Sequence, residues 1–203
     1  MHTMNLESDI NCDPLEAKIL KEEPNIIKKF PNTSYDGNDG NSGTGLGPNS
    51  LTSRYFWYNV LDWEEAKPLG KWIMKGYQTY TESKPEKLHV KCWANVLRKG
   101  EQIQPHRHFK DVFVDPADSL CGHLTVKADG STSTYYRTFI KDQKLLNIPG
   151  NFHFFNGGTT HWTDQYNGNS TRITIAFDIF TERAFQSIPD GIKPKLFTLK
   201  NED

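Results

Sequence analysis

Between residues 89 and 180 apolar and polar positions alternate in short runs closed by glycine, asparagine or proline. This period of two predicts strands rather than amphipathic helices. The runs fall at residues 89–97, 122–127, 132–139, 145–148, 151–155 and 171–180, with a further extended stretch from the Lys99-Gly100 turn through His108. Such a succession of short strands and turns predicts a mostly β chain folded as an antiparallel jelly roll, not a Rossmann sheet. Helical spacing is confined to the first third. Leu15, Ile19 and Leu20 share one face, Asp13 can cap it and Pro14 suits the first helical position, so a short helix is predicted over 15–23, ended by Pro24. A second short helix is predicted over 63–76, and Tyr55-Phe56-Trp57-Tyr58 reads as an edge strand or an interface, with Trp72 and Tyr77 as candidates for a surface seam or pocket wall.

The stretch 32–49 is dominated by glycine, asparagine and serine and reads as a flexible linker or a lid. It has neither the GKS/GKT ending of a phosphate loop nor dinucleotide glycine spacing. The expected organisation is an N-terminal extension, residues 1–50, with a short helix and that linker or lid, followed by one jelly-roll domain over 51–203. A chain of 203 residues supports one substantial core. The 24 basic and 25 acidic residues nearly cancel and form no basic block, which argues against nucleic acid or a membrane surface as partner. Cys12, Cys92 and Cys121 have no CxxC spacing, so neither a disulfide framework nor a cysteine zinc site is expected. The start of the chain carries no cationic, apolar leader and no apolar run of about 20 residues follows, so the expected compartment is the cytoplasm. A homodimer stays open, since the N-terminal segments could cover a barrel edge.

Chemistry concentrates in Gly100-Glu-Gln-Ile-Gln-Pro-His106-Arg-His108 and in the stretch from His161 to Arg172 and Thr174. Histidines one residue apart can face the same side of a strand while a third arrives from elsewhere, and imidazole suits divalent transition metals. Three imidazoles and an arginine together suggest an open iron site with an anchor for an anionic cosubstrate. His153, alternating with Phe152 and Phe154, reads as structural, and His123 is ambiguous. Phe152, Phe154, Phe155, Trp162 and Tyr166 serve either core and rim packing or a substrate slot.

Residues 93–108, 151–161 and 172–177, with Pro105-His106-Arg107-His108 at their centre, resemble the 2-oxoglutarate and iron(II)-dependent oxygenase family of bacterial and phage proteins, itself similar to prolyl-hydroxylase-like enzymes. The resemblance implies a double-stranded β-helix, the cupin-like jelly roll, with iron held at one mouth. It implies His106, His108 and His161 as metal ligands, Arg172 as partner of the far carboxylate of 2-oxoglutarate, and Thr174 beside it. Asn95, Thr125 and Tyr135 are further candidates for cosubstrate contact, subject to strand register, because a one-residue slip reverses the face a side chain points to. The chain departs from the family at His108, which stands where a carboxylate commonly completes a two-histidine, one-carboxylate triad. Asp111, Asp115 and Asp118 are alternative sources of that carboxylate. The implied reaction hydroxylates a small-molecule or peptidyl substrate and converts 2-oxoglutarate to succinate and CO2. The alternatives are a cupin-like metal- or ligand-binding protein without turnover, and a three-histidine dioxygenase independent of 2-oxoglutarate. Arg172 in one pocket with all three histidines favours the first reading.

Overall fold

The computed structural model describes residues 3–33, 39–108, 119–190 and 193–201. In chain order its elements are β1 (Thr3–Glu7), α1 (Asp13–Lys29), α2 (Lys67–Thr81), β2 (Lys87–Leu97), β3 (Ser119–Lys127) and β4 (Ser133–Tyr136). There follow β5 (Gln143–Leu146), β6 (Asn151–Asn156), β7 (His161–Thr163), β8 (Arg172–Phe180), α3 (Glu182–Ser187) and β9 (Phe197–Lys200). A six-stranded sheet runs β1-β6-β3-β8-β2-β9 and a three-stranded sheet runs β5-β4-β7, all pairs antiparallel. This is a mostly β double-stranded β-helix, or jelly roll, with short helices. Among the described residues no helix is long and apolar enough to cross a membrane.

All nine residues of β8 are buried, because both faces of the large sheet are covered. Ile173, Ile175, Phe177 and Ile179 pack into the main core with Leu15 and Ile19 of α1 and Leu69 and Ile73 of α2. Each such side chain contributes about 1.5–3 kcal/mol. Gly76 of α2 has no room for a Cβ, which would overlap the Phe154 ring, and Trp72 stacks on Phe152 at 6.2 Å. The opposite parity of the same strands supplies Arg172, Thr174, Ala176, Asn95, Trp93 and His123, which line a cavity between the two sheets. One parity therefore builds the core and the other the site.

Several expectations change. The first helix does not stop at Pro24: it spans 17 residues, with Pro24 on its exposed side and Leu15, Ile19, Glu23 and Ile26 buried. Arg98 donates two hydrogen bonds to Glu23, at 3.0 and 2.6 Å, so tertiary contacts outweigh the roughly 3 kcal/mol penalty of an internal proline. β1 is an edge strand on β6, and α1 contributes to the main core. The Tyr55–Tyr58 aromatics follow a 3-10 turn, Thr52–Arg54, rather than forming a strand, and the Tyr58 hydroxyl accepts a hydrogen bond from the Ala94 amide at 2.9 Å. Trp72 and Tyr77 serve the core under α2, not the cavity wall. The described part of the glycine-rich stretch docks on the chain just before His106: the Thr44 carbonyl accepts from the Gln104 amide at 2.8 Å, and Thr44 lines the cavity. Gly40, Gly43, Gly45 and Gly47 all have φ between 70° and 79°, which explains glycine at these four positions.

Candidate active site

The third histidine reaches the other two through the backbone. His106 and His161 form an antiparallel bridge, exchanging amide-to-carbonyl hydrogen bonds of 3.1 and 3.0 Å. The His108 amide donates to the Gly157 carbonyl at 3.2 Å. His108 is two residues from His106, so the rings of all three meet, with centroids 4.3 Å (His106–His161), 5.0 Å (His108–His161) and 5.6 Å (His106–His108) apart. One ligand atom from each lies within 4.8 Å of the others.

The ring tautomers follow from their partners. His106 Nδ1 donates to the Gln104 carbonyl at 2.8 Å and His161 Nδ1 to the Thr159 carbonyl at 3.1 Å, and a carbonyl can only accept. His108 Nδ1 faces the Asp178 carboxylate. In each neutral ring the lone pair is thereby left on Nε2, the arrangement a metal requires of histidine. Burial, reinforced by His106 and His108, holds the His161 imidazole well below its usual pKa, so it is neutral.

Asp178 is the carboxylate that reading the sequence missed. It lies opposite Lys91 on β2 and Cys121 on β3. Although burial pushes its carboxyl up, Lys91 at 2.9 Å and His108 outweigh this and hold it below the ordinary range. His108, Cys121 and Asp178 form a second group with metal-binding spacing, sharing His108 with the first. Burial and Asp178 push the Cys121 thiol well up, so it acts as a donor to the carboxylate at 3.2 Å, which favours the three-histidine group as the metal cluster. Asp111, Asp115 and Asp118 lie outside the described residues.

Arg172 opens into the same cavity, of about 400 Å³ counting its solvent-open part, as His106, His108 and His161. It is 1% exposed, and among the described residues only Nη2 of its guanidinium is held, by the Thr134 hydroxyl at 3.3 Å, while Nε and Nη1 find no hydrogen-bond partner there. Burial lowers its pKa to about 10, which still leaves it cationic at neutral pH. Thr174 and Asn95 line the cavity as expected and form a buried chain, with Thr52 donating to Asn95 Oδ1 at 2.6 Å and Asn95 Nδ2 reaching Thr174 Oγ1 at 3.5 Å. Thr125 is fully buried and its hydroxyl has no partner among the described residues, but it is not in the cavity lining. Tyr135 requires correction. Its ring stacks outside on Trp162, at 5.6 Å and 6°, while Thr134 lines the cavity and Tyr136 is buried against His161. Of the aromatic candidates only Phe155 lines the cavity; Phe152 and Phe154 are core, and Tyr166 packs with Leu97 and Ile103.

His123 and His153 stack across β3 and β6 at 4.9 Å, and among the described residues His123 Nε2 and both His153 nitrogens lack hydrogen-bond partners. Burial, then Arg172, lowers the His153 pKa from 6.5 to about 4. A base with a depressed folded pKa binds fewer protons folded than unfolded, so stability is complete above pH 6.5 and is lost as the pH falls toward 4. The cost over that window is about 3 kcal/mol for this residue. Urea denaturation between pH 7 and 4 should show a shallower loss of stability in His153→Leu than in the wild type; equal slopes would contradict the buried neutral assignment.

No family model and no curated protein sequence matches the chain. Solved structures do. The non-heme monooxygenase ThoJ in its nickel complex aligns with 100% of this chain and 80% of its own, at 9% identity and a TM-score of 0.57. A Pseudomonas putida prolyl-4-hydroxylase aligns over 89% of this chain and 92% of its own, at 8% identity and 0.58. SnoK, a non-heme alpha ketoglutarate dependent carbocyclase from nogalamycin biosynthesis, aligns over 98% and 92%, at 9% identity and 0.60. At such identities the likeness establishes a shared fold, the double-stranded β-helix.

Proposed function

We propose that the protein is an iron(II)- and 2-oxoglutarate-dependent oxygenase that hydroxylates a small-molecule or peptidyl substrate. One observation carries the reading: a buried arginine with two unpartnered guanidinium nitrogens opens into the same cavity as three histidines whose tautomers leave Nε2 as donor. An unpaired buried cation is costly, and a bidentate carboxylate removes that cost. His106, His108 and His161 would hold the iron, the neutral imidazoles being suited to a divalent transition metal. Bound iron(II) supplies the redox chemistry that couples decarboxylation of the 2-oxo acid to oxygen transfer.

The protein's own groups then bind and orient. Arg172 takes the distal carboxylate, and the Thr134 hydroxyl on Nη2 helps to fix the plane of the guanidinium. Thr174, tied through Asn95 to Thr52, offers a hydroxyl beside it. Ile103, Phe155 and Ala176 form an apolar part of the lining. The second reading, a three-histidine dioxygenase without a 2-oxo acid, draws on His108 but gives Arg172 no task.

Anaerobic titration of the apo-protein with iron(II) and then 2-oxoglutarate should develop a visible metal-to-ligand charge-transfer band only after both additions. Iron binding without the band would favour the second reading or a binding protein. Failure to bind iron would return the histidines to structural roles.

A further inference from the structure

We propose that Asp178 is a positioning residue that stands in for the carboxylate missing from the ligand set, acting through His108 instead of on the metal. The inference rests on the reading that the three histidines hold a metal. His106 and His161 are backed by main-chain carbonyls, of Gln104 and Thr159. His108, at the position where a carboxylate is commonly the ligand, is backed by a carboxylate.

The geometry suits that task. Asp178 is 1% exposed and its oxygens are divided between partners: Oδ2 takes Lys91 at 2.9 Å, while Oδ1 takes His108 Nδ1 and the Cys121 thiol. Lys91 is itself held over the rings of Tyr55 and Trp93, at 4.3 and 4.8 Å from their centroids. The carboxylate is thus clamped from the two strands that flank its own and from the His108 segment, with one oxygen turned to the imidazole. A buried aspartate–lysine pair is a poor source of stability, since an apolar pair of similar volume often does as well or better. What this pair supplies is a rigid anionic acceptor behind one ligand. Such an acceptor fixes the ring's orientation, keeps the proton on Nδ1 and raises the basicity of Nε2. Three histidines alone lack the negative charge that a bound carboxylate brings to the metal; the hydrogen bond to Asp178 returns part of that charge's effect.

The test uses the full chain and cobalt(II) as probe, comparing the wild type with Asp178→Asn, the double variant Lys91→Met/Asp178→Asn, and Cys121→Ser. The double variant removes both buried charges, so neither is left uncompensated. Cobalt(II) affinity should fall about 10- to 100-fold in both Asp178 variants, the usual scale for such a partner. In the cobalt protein, the proton NMR spectrum should hold three exchangeable, paramagnetically shifted ring N–H signals. Asp178→Asn should shift one and hasten its exchange while leaving two unchanged, which a general structural defect would not do. Cys121→Ser should leave affinity and spectrum intact. Affinity within twofold of wild type in a folded double variant would overturn the inference while leaving the metal reading in place. A sulfur-to-cobalt band lost in Cys121→Ser would overturn it too, because the metal would then occupy the Asp178 side of His108. No cobalt binding by the wild type would sink the metal reading, and this inference with it.

Discussion

His161→Ala is expected to abolish stoichiometric metal binding and, with it, all 2-oxoglutarate turnover. His161 sits between its two partners: its ring centroid is 4.3 Å from that of His106 and 5.0 Å from that of His108, whereas those two are 5.6 Å apart. Removing it leaves two ligands on one three-residue segment and no third face. Loss of a residue that merely backs a ligand costs about 10- to 100-fold in affinity, so loss of the ligand itself should cost more than about 100-fold. Stability should respond differently. His161 is buried and neutral, so alanine leaves a cavity and frees the Thr159 carbonyl, yet it also removes an imidazole whose protonation burial opposes. The ligand-free variant should therefore stay folded at neutral pH. The clearest readout is the metal-induced rise in Tm, which mass action gives the wild type and denies the variant. A cobalt(II) titration in which His161→Ala matches the wild type would remove the three-histidine centre altogether.

The strands that build this site were largely readable because both of their faces are committed. In residues 171–180 every second position is a large apolar residue, and the structure buries Ile173, Ile175, Phe177 and Ile179 under the helices. β1, β7 and β9 escaped notice: β1 and β9 lie outside the alternating stretch 89–180, and β7 is only three residues long. Pro24 misled for the complementary reason, since a local rule about proline says nothing about the tertiary contacts of Glu23 and Ile26.

The site divides along the same line. His106 and His108 are recognisable by spacing, and His161 and Arg172 by the motif around them. Asp178 has no local signature, because its partners Lys91 and Cys121 lie opposite it only once β2, β8 and β3 are in register. Tyr135 shows how much depends on that register: it was selected as a polar aromatic near the site, but Thr134 and Tyr136 are the residues of β4 that face inward. Thr44 was hidden in a stretch whose glycines signal turns but not where the turns lead.

Arg172→Met should nearly eliminate 2-oxoglutarate binding while leaving the ligand-free protein as stable as the wild type or more so. The two effects have one cause. Burial, only partly opposed by Tyr136 and Asp164, takes the guanidinium from 12.5 to about 10, a net cost of about 3 kcal/mol for keeping the charge, and the Thr134 hydroxyl is its one hydrogen-bond partner among the described residues. Methionine fills similar space without that charge and adapts to irregular gaps. Its losses are the weak Thr134 contact and some packing, which should be smaller than the cost it removes. When a dicarboxylate arrives the balance reverses, because the wild type gains a buried, two-pronged ion pair worth about 2–5 kcal/mol and the variant gains nothing. That difference corresponds to roughly a 30- to 5000-fold loss of affinity. Arg172→Lys should fall between, keeping charge without the fork. Melting curves with and without 2-oxoglutarate separate the outcomes: the ligand should raise the Tm of the wild type and leave that of Arg172→Met unmoved, from a ligand-free Tm no lower than the wild type's. A variant that melts well below the wild type would make Arg172 a structural residue, and one that still responds to 2-oxoglutarate would place the anion's anchor elsewhere in the cavity.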